Sequence, residues 1–270
     1  QVDGKDFRIM AGTNGSIQGP AEAKWGYTTL TTGDWDGDGR SDLMVNSIWG
    51  QVIWLKNLGP IDGSSSGLPQ LAPAQPVIVQ WPENTPLKPA WLWWTPAPGS
   101  LVTQWRTTPV MVDWDRDGLM DLVMLDHDGY LAWYQRQQVG DDRVLLPPQR
   151  IFYGNNLSVA DSRHRIQNAN PGPLQLNQGR AGASGRRKLA VVDWDGDGHL
   201  DVLVNSENAN WLRNLGREGP EVWLEDRGPL SMSNVQGHTT SPGTVDFNGD
   251  GIPELIIGAE NGRIYTPTRN

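Results

Sequence analysis

One acidic loop of nine residues recurs four times with fixed internal spacing, and nothing else in the chain constrains the fold as much. The copies are Asp34-Trp-Asp-Gly-Asp-Gly-Arg-Ser-Asp42, Asp113-Trp-Asp-Arg-Asp-Gly-Leu-Met-Asp121, Asp193-Trp-Asp-Gly-Asp-Gly-His-Leu-Asp201 and Asp246-Phe-Asn-Gly-Asp-Gly-Ile-Pro-Glu254. Side-chain oxygens fall at loop positions 1, 3, 5 and 9: Asp34, Asp36, Asp38 and Asp42; Asp113, Asp115, Asp117 and Asp121; Asp193, Asp195, Asp197 and Asp201; Asp246, Asn248, Asp250 and Glu254. Position 6 is always glycine, which permits a sharp turn, and the position-7 carbonyls of Arg40, Leu119, His199 and Ile252 can add a further oxygen. Calcium takes six to eight hard oxygen ligands, and carboxylates this close repel one another without a cation. Four loops in register predict about four Ca²⁺ ions.

The flanks decide what kind of calcium protein this is. An EF-hand needs a bidentate Glu at position 12 and a helix on each side. Position 12 is Val45, Met124, Val204 and Ile257 instead. Short apolar runs, rich in β-branched residues and bounded by turn residues, lead in at 109–112, 189–192 and 244–245 and lead out at 43–45, 122–125, 202–204 and 255–257. These are strand signals. An aromatic residue returns 18 to 20 positions after each first Asp, at Trp54, Trp133, Trp211 and Tyr265, which predicts a third strand. A fourth is expected at 76–79, 150–153 and 221–224.

A recurring four-stranded unit is the signature of β-propeller blades. The loops resemble those of FG-GAP/VCBS-type repeats, the calcium-binding blades of integrin α heads and of many bacterial surface and secreted proteins. That resemblance covers about Trp25 to Tyr265 and implies an all-β propeller. It leaves function open, because such blades serve adhesion, lectins and polysaccharide lyases alike. The loop starts lie 79, 80 and 53 residues apart, so blades are expected at 24–100, 101–180, 181–235 and 236–270 of one domain. Two architectures follow. In a closed four-bladed ring, residues 1–23 complete the last blade through Phe7 to Met10. Otherwise the chain, which begins at Gln1, is half of a seven- to eight-bladed propeller, with self-association or pairing to the missing half.

Composition matters mainly by exclusion. The chain has no cysteine, which rules out disulfides and thiol chemistry and leaves calcium as the staple. No apolar run approaches membrane-spanning length, so no membrane insertion is expected, and the openness of the calcium loops suits an extracellular or cell-surface setting. The net charge is −9, but the loops alone hold 15 acids, so the acidity belongs to the metal sites and predicts no cationic partner. No phosphate-cradling glycine loop or basic helix is present, which argues against nucleotide and nucleic-acid partners.

Two insertions break the repeat. Residues 60–100 are rich in Pro and Trp, with nine of the chain's twenty prolines between Pro60 and Pro98 alongside Trp81, Trp91, Trp93 and Trp94. They are expected to form a lid that hides its own tryptophans, or else a sugar-stacking platform. Residues 140–185 are polar, with Arg143, Arg150, Arg163, His164, Arg165 and Arg180, and read as a solvated loop or a face for an anion. The position-2 aromatics Trp35, Trp114, Trp194 and Phe247 alternate away from the ion and are expected to pack between blades.

Just upstream of each first strand stand Lys24, Trp25 and Tyr27, then Trp105 and Arg106, then Arg186 and Arg187, then His238. First strands line a propeller's axis, so these residues are expected around one funnel as the candidate ligand site. Arg pairs bidentately with carboxylates, which suits an anionic polysaccharide. The implied function is an extracellular calcium-binding propeller that binds carbohydrate, with a structural or adhesive module that binds another protein chain as the alternative. A third reading is a uronate-cleaving polysaccharide lyase, with His238, Tyr27 and Arg106 as base, acid and carboxylate neutraliser.

Overall fold

The computed structural model of the chain describes residues 28–47, 50–60, 69–92, 94–154, 172–177, 187–231, 235, 240–259 and 261–268. Among the described residues the protein is all-β. The strands form several sheets, none closed into a barrel, and the helical content of the described residues is one short 3₁₀ turn at Pro82–Asn84. The chain divides into two compact units, Gln1–Val123 with Tyr134–Pro148, and Met124–Trp133 with Gln149–Asn270.

In the first unit, β1 (Thr29–Gly33), β2 (Asp42–Asn46) and β3 (Val52–Leu55) form an antiparallel meander. A side hairpin, β4 (Asn57–Pro60) with β5 (Pro69–Leu71), leads to β6 (Gln75–Pro76), which pairs with β3. The first acidic loop closes the β1–β2 turn, where Gly33 faces Asp42. The second closes the turn from β7 (Val110–Val112) to β8 (Asp121–Leu125), where Val112 faces Asp121, and β9 (Leu131–Tyr134) completes that sheet. Another hairpin of the first unit joins β10 (Arg136–Val139) to β11 (Asp142–Leu145).

The second unit holds a six-stranded sheet. Its members are β12 (Phe152–Gly154), β13 (Gly172–Pro173), β14 (Leu189–Val192), β15 (Asp201–Asn205), β16 (Ala209–Glu218) and β17 (Glu221–Pro229), in the order β13-β12-β17-β16-β15-β14. The third loop sits at the β14–β15 turn. The fourth sits between β18 (Thr240–Val245) and β19 (Glu254–Ala259), and β20 (Ile264–Tyr265) pairs with β19.

Each loop therefore stands between two strands, and Trp54, Trp133, Trp211 and Tyr265 each lie on the third strand, as the spacing predicts. The position-12 residues Val45, Met124, Val204 and Ile257 are buried core. The fourth strand is less regular than expected. In the third repeat it is β17, antiparallel to β16. In the first, β6 is only two residues long, Val77 adds one backbone bond to the Val52 carbonyl at 3.1 Å, and Ile78 and Val79 form single bridges to Ser100 and Leu145. In the second, Phe152–Gly154 leaves its own repeat and runs parallel to β17, whose long hairpin with β16 offers a free edge. The strand Phe7 to Met10 expected to close a ring lies outside the described residues.

Candidate functional site

The four loops share one hydrogen-bonded frame. The position-1 carboxylate folds back over the turn and accepts backbone N–H groups. Asp34 takes those of Asp38 and Gly39 at 3.0 and 2.8 Å, Asp113 those of Asp117 and Gly118 at 3.0 and 3.0 Å, and Asp246 those of Asp250 and Gly251 at 3.1 and 2.9 Å. In the third loop Asp193 accepts from Gly196 and Gly198 at 2.9 and 3.0 Å. These bonds require a left-handed backbone at position 6, where φ lies between 83° and 89° and glycine is the residue that adopts it without strain. Asp246 is held below the usual carboxylate range, first by the N–H of Gly251.

Position 9 ties the loop to the sheet. One oxygen of Asp42, Asp121 and Asp201 accepts the N–H of position 2 (Trp35, Trp114, Trp194) at 3.1 Å each. The other accepts the N–H three residues beyond the third-strand aromatic, from Asn57 at 2.7 Å, Arg136 at 2.6 Å and Asn214 at 2.7 Å. All three carboxylates are fully buried. Burial raises the pKa of Asp201 despite these bonds. In the fourth loop Glu254 accepts from Phe247 in the same way, at 2.9 Å.

This frame brings oxygens together. Those of Asp34, Asp36 and Asp42 lie within 4.8 Å of one another, as do those of Asp113, Asp115 and Asp121, and those of Asp193, Asp195 and Asp197. Two oxygens on opposite sides of a calcium ion, each about 2.3–2.6 Å away, are about 5 Å apart, so the donor sets fit that ion in chemistry and in span. The Oδ1 of Asp36 is buried and has no hydrogen-bond partner among the described residues, an acceptor that a cation would satisfy.

Sequence reasoning missed the groups that face positions 3 and 5. Two residues beyond the third-strand aromatic, Lys56 binds Asp36 and lies 3.0 Å from Asp38, while Arg213 reaches Asp195 at 2.6 Å and Asp197 at 3.0 Å. The second repeat has the neutral Gln135 there, 2.7 Å from Asp115. The fourth has Pro267 at the same offset. Hydrogen bonding to Lys56 holds Asp38 below its ordinary pKa, and Lys56 is raised in turn. Asp197 is lowered first by the N–H of His199 and then by Arg213.

The aromatics at position 2 divide. Trp35, Trp114 and Trp194 are 7, 8 and 4 % exposed, as expected of packing residues, whereas Phe247 is 64 % exposed. Trp194 is covered by Leu255 and Ile257 of the following repeat, and the described residues hold no later repeat to cover Phe247. Trp35 is covered by Arg136, whose guanidinium lies 3.8 Å over the indole and donates to the Trp35 carbonyl. In the proline-rich segment Trp81 is buried and donates to the Ser100 carbonyl at 2.8 Å, whereas Trp91 and Trp94 are half-buried. Arg150 is committed to Asp126 and Asp128, at 2.6 Å each, and stacks on Tyr130.

Of the funnel set, Lys24, Trp25, Tyr27, Arg186 and His238 lie outside the described residues. Trp105, Arg106 and Arg187 are buried. Arg106 stacks on Trp105 with 4.3 Å to the ring centroid, and Arg187 donates to the carbonyls of Leu176 at 2.6 Å and Asn205 at 3.3 Å.

Comparison with known proteins agrees with the loop architecture. Residues 193–257, from the third loop into β19, match an FG-GAP-like repeat. Cartilage acidic protein 1 of Xenopus tropicalis is 24 % identical over 160 residues, which cover 54 % of this chain and 20 % of that protein. The matched segment thus spans about a fifth of the curated relative's length. An Agrocybe aegerita lectin, solved for its specific recognition of non-reducing terminal N-acetylglucosamine, superimposes with a TM-score of 0.42 at 16 % identity, covering 91 % of this chain and 50 % of the lectin. Among the described residues no helix is long and apolar enough to cross a membrane.

Proposed function

We propose that this chain is a calcium-clamped β-propeller module that works outside cells and binds carbohydrate. The observation that carries the calcium reading is the common frame of the first three loops, in which position 9 is locked to the sheet while positions 1 and 3 converge with a third carboxylate within 4.8 Å. About four Ca²⁺ ions would be held by the loops headed by Asp34, Asp113, Asp193 and Asp246. They would supply charge neutralisation and rigidity. The four recurrences of loop and third strand support a reading of four blades. The carbohydrate reading draws support from the tryptophans and arginines gathered beside the first loop rather than from the funnel set, whose described members are buried. A glycan array probed with calcium-loaded protein tests it. Calcium-dependent binding of a defined glycan group is the expected result, and a blank array that includes acidic glycans would sink the reading.

A structural or adhesive module is the second reading. It is favoured by the exposed Phe247 and Ile264 of the last repeat, an apolar face of the kind that another blade or chain covers. Sedimentation of the loaded protein separates the two: concentration-dependent assembly supports adhesion, and a monomer that binds glycans supports the first reading. A lyase is the third reading, and of its three residues only Arg106 is described, buried and stacked on Trp105.

A further inference from the structure

We propose that the cavity beside the first loop, lined by Trp35, Trp54, Gln75, Arg136 and Arg143, binds the carboxylate-bearing ring of an acidic sugar. This inference rests on the carbohydrate reading above and names the class of sugar. The cavity lies wholly within the first unit and has a volume of about 220 Å³. Pockets for drug-sized ligands run to about 300–1,000 Å³, so this one admits a single small ring and not an oligomer.

Its electrostatics oppose the rest of the molecule. The net charge is −9, yet two guanidiniums line this one cavity. Arg136 is 93 % buried, being 7 % exposed, and stacks on Trp35, while Arg143 stands exposed on β11. Among the described residues neither forms an ion pair with a carboxylate. Arg136 donates to the carbonyl of Trp35 and Arg143 to that of Asp36, both neutral acceptors in the wall of the first loop. The carboxylates of Asp36, Asp42 and Asp121 act on Arg136 through space without forming an ion pair with it. Two guanidiniums lining one cavity favour an anion, and a guanidinium matches a carboxylate in shape.

The remaining lining is suited to a sugar. Trp54 lines the cavity from β3 and is only partly buried, so its indole can offer apolar surface to a ring, and Gln75 offers an amide that can both donate and accept. Gly37 lets Arg143 lie against the loop. A Cβ there would stand 2.8 Å from its Nη1, and Gly37 already has φ of +73°.

The test titrates the full calcium-loaded chain with sodium glucuronate, with glucose and acetate as controls, followed by the indole N–H resonances of Trp35 and Trp54. Glucuronate is expected to move these resonances, more weakly as salt rises, and to bind at least about tenfold tighter than either control, the scale of one charge-assisted contact. In protein saturated with calcium, Arg143→Gln should weaken glucuronate by about tenfold, and Arg143→Lys should restore part of the loss. Glucose or acetate binding as well as glucuronate overturns the acidic-sugar assignment. Resonances that glucuronate leaves unmoved, on a protein that still binds neutral glycans on an array, overturn this inference and leave the carbohydrate reading intact. If no glycan of either kind binds, both fall.

Discussion

Gln135 donates to Asp115 at 2.7 Å from the very position at which the first and third repeats place Lys56 and Arg213 against the same pair of loop acids. At this position the second loop therefore meets a neutral side chain, whereas the first and third meet a cation that already partly neutralises them. A metal entering those two loops competes with a side chain of like charge.

Calcium affinity should follow that difference. Lys56→Gln and Arg213→Gln are expected to tighten their loops, and Gln135→Lys to weaken the second, each by about two- to fivefold, the modest scale of a solvent-screened pair. Terbium luminescence, sensitised by the position-2 tryptophans, resolves the three titrations. Equal affinities in all three variants would remove the side-chain competition.

The position-9 carboxylates should be structural even without metal. Asp201→Ala leaves the N–H groups of Trp194 and Asn214 without their acceptor, at about 1–3 kcal/mol for each buried donor, so a loss of about 2–5 kcal/mol is expected in chelator. Asp195→Asn, on the solvent side of the same loop, should cost less than about 1 kcal/mol under those conditions. Urea unfolding of the two variants in EDTA checks the contrast, which fails if they are equally destabilised.

Burial raises the pKa of Asp226, whose Oδ2 has no hydrogen-bond partner among the described residues while Oδ1 accepts from Gly228 at 2.8 Å and Asn210 at 3.2 Å. A raised acid binds its proton more tightly in the folded state, so its ionised form weakens the fold above the folded pKa. The penalty disappears as pH falls below that value. Asp226→Asn should therefore raise the melting temperature at pH 7 by about 2–4 °C, the equivalent of about 1 kcal/mol in a chain of this size. The gain should fade as the solution is acidified. Melting curves across pH test it, and a gain that persists or grows in acid contradicts the assignment.

What the sequence made legible was local. Spacing alone placed each loop between two strands and each aromatic on a third, because a nine-residue turn and a period-two strand leave direct marks on composition. The counter-groups at Lys56, Gln135 and Arg213 share an offset and an end point but not a residue type, so no motif announces them. Burial of Trp105, Arg106 and Arg187 depends on what packs over them, and a chain pattern of cations and aromatics reads the same whether the side chains face solvent or core. Phe247 makes the converse point: it occupies the same loop position as three buried tryptophans and is exposed because its cover has to come from another segment. The parallel pairing of β12 with β17 joins segments about 70 residues apart, beyond the reach of local periodicity.

The central claim is that the loops are calcium sites whose occupation is part of the folded state. Thermal unfolding of the full chain in millimolar calcium and in excess EDTA tests it most directly, with bound metal counted on the same samples by elemental analysis. A site held at a hundredfold excess over its Kd adds about 2.7 kcal/mol, and several such sites should separate the two melting temperatures by about 10 °C or more. About four calcium ions per chain and that separation are the predicted result. Superimposable melting curves, or a chain that binds no calcium at equilibrium in millimolar calcium, would contradict the account.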